Sequence, residues 1–227
     1  MPDTISLDSL KKKFPSSEWD LSTFFRKYFQ DDLETAQKCF AESLAGYSIF
    51  TYLFNVKDRH NGNILLDPQG HLVHIDFGFF LQNSPGGVGF EAAPFKFTTE
   101  YLNVLGGQKG PMFKYFKKLM VRGLSLVKKR QEELYTLITI MSLVHQPAQD
   151  GGKKDMAGGA NYYHAYPCFR NPDTLVKEIR DRLISPRVKP GQSDMQRLVD
   201  DLITASLQNS ATVLYDQFQK LTNQIAV

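Results

Sequence analysis

The sequence predicts an α+β fold, predominantly helical with one small β-hairpin, and three observations carry that expectation. Ala36, Cys39, Phe40, Leu44, Tyr47 and Phe54 recur near helical spacing behind a capping-box-like Asp31/Glu34 start, which predicts a helix over about 33–54. The period then changes: NILLD, PQGH and LVHIDFG read as a strand, a turn carrying Pro and Gly, and a second strand. From about 98 onward helical spacing returns and persists almost to the end of the chain.

Taken in order, residues 1–18 are polar and broken by Pro2 and Pro15, so a mobile or extended leading segment is expected, followed by a short amphipathic piece from Trp19 to Phe29. In the hairpin, tight closure on Gln69 and Gly70 would set Asn63 across from Asp76. Residues 79–97 contain three glycines and two prolines with little periodicity and read as a long functional loop. A short helix near 98–105 precedes a long helix or a close pair over about 111–144, where Phe113, Phe116, Met120, Leu124 and Val127 share one face and Leu134, Leu137, Ile138 and Met141 another. Residues 146–167, rich in Gly, Ala and polar groups, read as a flexible insertion before amphipathic helices near 172–184 and 193–223.

Composition narrows the class. The chain has 227 residues, 42% hydrophobic and 12% aromatic, which suffices for one sizeable core or two small ones and excludes a disordered chain. Cys39 and Cys168 lie far apart, in no metal-ligand spacing, and read as free thiols in a reducing compartment. MPDTISLDSLKKKF lacks the apolar core of a signal peptide, and no run of about 18 apolar residues is present, so a cytoplasmic protein with peripheral membrane contact is expected. Charge is unevenly placed: residues 96–130 hold nine Lys or Arg against the single acid Glu100, a local +8 that leaves −5 for the remainder of a chain whose net charge is +3. Interleaved with Phe95, Phe97, Phe113, Tyr115 and Phe116, this block suits nucleic acid, an anionic membrane or a phosphate-bearing ligand, or is simply a solvated helix face.

The polar residues of KDRHNGNILLDPQGHLVHIDFG suit phosphoryl transfer, in which the protein orients a nucleophile and a divalent cation neutralises spreading charge. Magnesium prefers hard oxygen ligands, and Asn63 with Asp76 would supply one amide oxygen and one carboxylate. Asp58 and His60, just before the first strand, are placed to handle a hydroxyl proton. His71 in the turn and His74 in the second strand are expected to be structural.

The DRHxxN and DFG combination resembles the phosphoinositide 3-/4-kinase superfamily, and longer runs narrow the resemblance: SLAGYSIFTYLFNVKDRHNGNILLDPQGHLVHIDFGFFL, SPGG, GFEAAPFKFTTEYLNVLGG and LYDQFQKLTNQI are similar to type III phosphatidylinositol 4-kinases of the beta subtype, from about residue 33 to the C-terminus. The resemblance implies the C-terminal lobe of a protein-kinase-like fold: a linker or lobe start over 1–32 and the lobe proper over 33–227, with the catalytic loop at about 56–64 and the activation loop at about 76–98. It implies Asp58, His60 and Arg59 as the catalytic group, Arg59 organising the loop, and Asn63 and Asp76 as the metal and cofactor side. Phe77, Gly78, Ser84, Pro85, Gly86, Gly87, Phe90 and Lys96 would form the activation loop that meets substrate.

The implied reaction transfers the ATP γ-phosphate to the 4-hydroxyl of phosphatidylinositol with Mg²⁺ or Mn²⁺. Between Phe79 and Phe97 the only basic residue is Lys96, which favours the unphosphorylated lipid over phosphoinositides. The resemblance further implies peripheral attachment to Golgi or other endomembranes, small GTPase or adaptor partners, and no nucleic acid. The terminal run TVLYDQFQKLTNQIAV would lie against the catalytic loop, lie on the membrane or pack as a plain helix. No GxGxxG or GxxxxGK[ST] occurs and no VAIK-like strand lysine precedes the DRH triplet, so the N-terminal lobe is expected to be absent. Two other readings stand beside this one: a protein kinase of the related superfamily, against which SPGG and GFEAAPFKFTTE argue, and an inactive fragment that binds only membrane or a partner.

Overall fold

The computed structural model describes residues 3–14, 20–83, 93–144, 167–169, 172–183, 194–207 and 220–226, and its architecture is the helical α+β one expected. Of the insertion expected over 146–167, all but residue 167 lies outside the described residues, as do Ser84, Pro85, Gly86, Gly87 and Phe90.

The leading segment is ordered over residues 5–13, contrary to expectation. Strand β1 (Ile5–Ser6) pairs antiparallel with β2 (Ile64–Leu66), Ile5 opposite Leu66, and helix α1 (Leu7–Lys13) follows with the Ser6 hydroxyl capping the Ser9 N–H. Only Leu7 and Leu10 of this short helix are buried, so two apolar residues three apart anchor a stretch whose other side chains are polar. In α2 (Leu21–Tyr28) the Asp20 carboxylate caps the Thr23 N–H at 2.7 Å, and Leu21 and Phe25 are buried.

Helix α3 (Leu33–Phe54) is the axis of the main core, burying Ala36, Phe40, Ala41, Leu44, Ala45 and Leu53. The capping box expected at Asp31/Glu34 is not formed; a 3₁₀ turn over Gln30–Asp32 leads into the helix and no side chain caps its N-terminus. Asn55 closes the helix in the left-handed conformation at φ 49°. Helix α5 (Pro111–Lys129) packs along α3, and the Ile49 side chain fills the space beside Gly123, where an added Cβ would stand 2.3 Å from Ile49 Cδ1. Helix α8 (Asp194–Leu207) covers the other side of α5, and α2 packs on α4 (Thr99–Val104).

The stretch 111–144 is a close pair, α5 and α6 (Gln131–Val144). The expected face of α5 is buried at Phe113, Phe116, Met120 and Leu124, whereas that of α6 is turned. Tyr135, Ile138 and Ser142 are buried while Leu137 and Met141 are 60% and 50% exposed. The reason is a second, smaller core, in which Tyr135 and Ile138 meet Leu175 and Ile179 of α7 (Pro172–Arg182), Leu81 and Phe169. Of the last predicted helix, α8 accounts for 194–207, and residues 208–219 lie outside the described residues.

The hairpin of β2 and β3 (Leu72–His74) is present but its register differs by one residue from that expected. Ile64 pairs with His74 and Leu66 with Leu72, and the Ile75 N–H donates to the Asn63 carbonyl at 3.1 Å, so Asn63 faces Ile75 and not Asp76. The turn has three residues between Asp67 and His71, with Gly70 at φ 94°. The Asp67 carboxylate fixes that length, accepting from the Gln69 and His71 N–H groups at 2.9 and 2.8 Å and lying 2.9 Å from His71 Nδ1.

At Gly70 a Cβ would stand 2.8 Å from the Ala36 carbonyl oxygen, so backbone meets backbone where the turn rests on α3. Gly70→Ala is expected to cost about 2 kcal/mol or more through left-handed strain and that clash. Urea denaturation compares it with Gln69→Ala, which should be near neutral.

Candidate active site

Four segments converge at the open end of the hairpin: the 57–63 loop between α3 and β2, the end of β3 at Ile75–Asp76, the 77–81 stretch that follows, and residues 225–226. The 57–81 crossing is knitted by backbone bonds, Lys57 N–H to the Phe79 carbonyl at 2.9 Å and Leu81 N–H to the Phe54 carbonyl at 2.6 Å.

Arg59 holds the first two together. It is 1% exposed, and its guanidinium donates to the Lys57 carbonyl at 2.9 Å, the Ile75 carbonyl at 2.7 Å and the Asp76 carbonyl, while Phe77 lies 5.3 Å from its central carbon. A rigid fork of donors suits three carbonyls from two segments. Arg59 therefore ties the loop to the strand end, and its guanidinium is buried in doing so.

Asp58 and Asp76 both sit in the left-handed region, at φ 64° and 56°, a conformation aspartate tolerates better than most residues but which still stores strain. The Asn63 amide nitrogen donates to the Asp58 carbonyl oxygen at 3.0 Å and, more loosely, to its carboxylate at 3.3 Å. That orientation turns the amide oxygen of Asn63 away from Asp58. Asp76 is exposed, and its Oδ1 accepts from the Gly78 N–H at 3.3 Å. Asn63 and Asp76 stand at the same end of the hairpin, and an amide oxygen with a carboxylate is the kind of hard-oxygen donor chemistry a magnesium-like ion takes.

His60 caps the short turn Asn61–Asn63, its Nδ1 accepting from the Gly62 N–H at 3.1 Å. A neutral ring so held carries its proton on Nε2, and this nitrogen lies 3.7 Å from Asp58 Oδ1. In that state the ring presents its donor on the side of Asp58. The same contact leaves little room at Gly62, where a Cβ would stand 3.0 Å from the His60 ring.

Lys96 departs from the picture of a loop cation that meets substrate: it is 6% exposed, close enough to His74 to affect its titration. His74, 7% exposed, stacks on Tyr47 with ring centroids 4.2 Å apart, and its Nδ1 has no hydrogen-bond partner among the described residues. Burial, then the Arg59 and Lys96 charges, push its pKa down to about 3. His71, held by Asp67, and His74 are thus structural. Phe77 is 39% exposed and meets Phe50 of α3 edge-on at 5.7 Å, while the Gly78 carbonyl accepts from the Asn83 amide at 2.8 Å.

Sequence reasoning gave the terminal run lying against the 57–63 loop as one alternative but missed Asn61 and Asp8 as the residues that hold it. Asn61 is buried and donates to the Ala226 carbonyl at 2.8 Å, the Ala226 N–H donates to Asp8 Oδ1 at 2.5 Å, and Ile225 approaches Gly62. Of the alternatives for the terminal run, residues 225–226 follow the one that lies against the catalytic loop. The polar Asn61 inside an already polar motif was the only local signal.

The sequence pattern of the family described as phosphatidylinositol 3- and 4-kinase matches residues 1–149. A phosphatidylinositol 4-kinase of Dictyostelium discoideum is 39% identical over 99% of this chain and 18% of its own length. Phosphatidylinositol 4-kinase beta of Danio rerio and of Rattus norvegicus are each 37% identical over 98% of this chain, covering 24% and 25% of their lengths. The similarity thus includes the first 32 residues, and the chain spans about a quarter or less of the length of these relatives.

Two outcomes are expected of the site's framework. Arg59→Lys cannot serve three carbonyls and should cost about 3 kcal/mol, with faster amide exchange at Ile75 than elsewhere in the hairpin. His74 is held neutral, so the unfolded chain binds a proton between about pH 6.5 and about pH 3 that the folded chain does not. Stability is complete above that window and falls on acidification through it, by up to about 1.4 kcal/mol per pH unit. In urea denaturation at a series of pH values, His74→Phe should flatten that limb.

Proposed function

Because the chain belongs to the phosphatidylinositol 3- and 4-kinase family, we propose that it carries the hydroxyl-activating and metal-side half of a phosphatidylinositol 4-kinase site, transferring the γ-phosphate of ATP to the 4-hydroxyl of phosphatidylinositol. The observation that carries the proposal is the convergence made by Arg59, which fastens the loop of Asp58, His60 and Asn63 to the strand end bearing Asp76.

In this reading the Asp58 carboxylate takes the proton of the attacking hydroxyl, and the His60 Nε2–H donates a hydrogen bond beside it. The 3.1 Å bond into Nδ1 supports that division, since it leaves the neutral ring no lone pair on the Asp58 side. Asn63 orients Asp58 through its amide nitrogen and offers its oxygen, with Asp76, to a divalent cation. Such an ion, when bound, neutralises charge on the phosphates. The position of Lys96 supports plain phosphatidylinositol as substrate. It is the only basic residue in the 79–97 loop, and its burial removes the one cation there that could grip an additional ring phosphate. Among the described residues no helix is long and apolar enough to cross a membrane, so contact with the lipid on this reading is peripheral.

Assayed on phosphatidylinositol vesicles in the full-length protein, Asp76→Ala should abolish phosphorylation. Asp58→Asn should lower kcat roughly a hundred- to ten-thousandfold, and His60→Gln about tenfold. Activity that survives Asp76→Ala would sink the metal-side assignment, and a larger loss at His60 than at Asp58 would reverse the roles of acceptor and donor.

A further inference from the structure

Four of the nine basic residues of 96–130, Lys114, Lys117, Lys118 and Arg122, line one groove. Along the exposed side of α5, Lys114, Lys118 and Arg122 recur every fourth residue and form a stripe. They line an open groove of about 410 Å³ between α5 and α8, with Phe113 on its α5 side and Gln196 contributed by α8. Neutralisation along this surface is selective. Lys117 is held at 2.5 Å by Asp200 of α8, and Asp201 is taken by Arg197 at 3.2 Å. Among the described residues no carboxylate pairs with Lys114, Lys118 or Arg122, so three cations one turn apart face outward.

The groove is mechanically joined to the candidate site. Lys96, buried near His74 of β3, is followed by Phe97, whose ring stacks on Phe116 of α5 at 5.3 Å and lies 6.2 Å from Phe113. The end of the loop that follows Asp76 is thereby seated on the first two turns of the helix that carries the stripe.

We propose that the Lys114–Lys118–Arg122 stripe is a docking surface for the anionic face of a lipid bilayer, which fixes the orientation in which the protein meets its lipid. Three aligned cations on one rigid helix match a flat, negatively charged surface, and the dispersed attraction of such a surface needs no pocket shaped to a single headgroup. The occupant rests on the lipid-kinase reading, whereas the docking is measured without turnover, so the two fail separately.

The test is co-sedimentation of the protein with phosphatidylcholine vesicles that contain or lack phosphatidylserine, without ATP. Binding should require phosphatidylserine and weaken on raising salt from about 0.1 M to about 0.5 M. Replacing Lys114, Lys118 and Arg122 by Gln together should reduce binding roughly a hundredfold, about fivefold per residue, with an unchanged thermal melt. Lys114→Arg with Lys118→Arg should retain it. Removing the same charge from exposed positions on other helices, by Arg26→Gln, Lys27→Gln and Lys177→Gln together, should leave binding within about twofold of the parent.

An equal loss in the two triple variants would show that net charge alone acts and would overturn the proposal. Undiminished binding by the stripe variant, or displacement of the vesicles by a stoichiometric oligonucleotide, would do the same. Vesicle binding that persists in a protein without phosphatidylinositol turnover would leave the docking surface standing and remove only the kinase reading.

Discussion

The buried guanidinium of Arg59 is the constraint on which the rest of the site depends. A charge with 1% exposure is tolerable only when its donors are satisfied, and here they are met by backbone carbonyls of Lys57, Ile75 and Asp76. Those carbonyls belong to the loop that bears Asp58 and to the strand end that bears Asp76. Neither segment can move away from the other without stranding the charge. The strand end needs such a partner, because Asp76 leaves the extended region at φ 56° and β3 has no ladder beyond Ile75. Phe77, against the guanidinium, then starts the loop from a fixed point.

The same constraint explains how two aspartates persist in left-handed backbone at neighbouring places. Strain of this kind survives only where the surroundings over-determine it. Around Asp58 the Asn63 amide bonds both its carbonyl and its carboxylate, and around Asp76 the Arg59 fork holds the carbonyl while the Gly78 N–H holds Oδ1. The left-handed turn at each aspartate separates the direction of its carbonyl from that of its side chain. Carbonyls can therefore face inward to the guanidinium and amide while Asp76 stays exposed at the surface.

The elements were legible in the sequence where burial is one-sided and long. The 33–54 helix, the hairpin and the face of α5 follow from periodicity because each buries a continuous stripe. The misses share a cause, which is that the deciding partner is distant or very local. Whether α6 buries Leu137 or Tyr135 depends on α7, some forty residues on, and periodicity fits either stripe. The hairpin register turned on the Asp67 carboxylate, which captures two N–H groups and lengthens the turn to three residues. That shift moved Asn63 from Asp76 to Ile75. The residue types of the site were readable from DRHNGN and DFG, but the tautomer of His60 and the contact of Asn61 with Ala226 follow from single hydrogen bonds that no spacing encodes.

Charge shows the difference between composition and structure most clearly. Counted in sequence, the nine basic residues of 96–130 form one block. In the fold they divide by what desolvation permits. Lys96 goes inward beside His74, whose ring stays neutral partly because that ammonium and Arg59 are near. A protonated His74 would place a third positive charge near those of Arg59 and Lys96. Lys117 is spent on Asp200 and ties α5 to α8. What remains for an outside partner is set by these two commitments and by the pairing of Arg130 with Glu133. The loop after Asp76 contributes no exposed lysine of its own, and the long-range attraction falls to α5, a rigid helix that keeps its charges in line while the loop's end stays anchored through Phe97. On the proposed reading, attraction to a surface and discrimination of a headgroup thus fall to different elements, the first to charge on α5 and the second to a loop whose one lysine, Lys96, is buried.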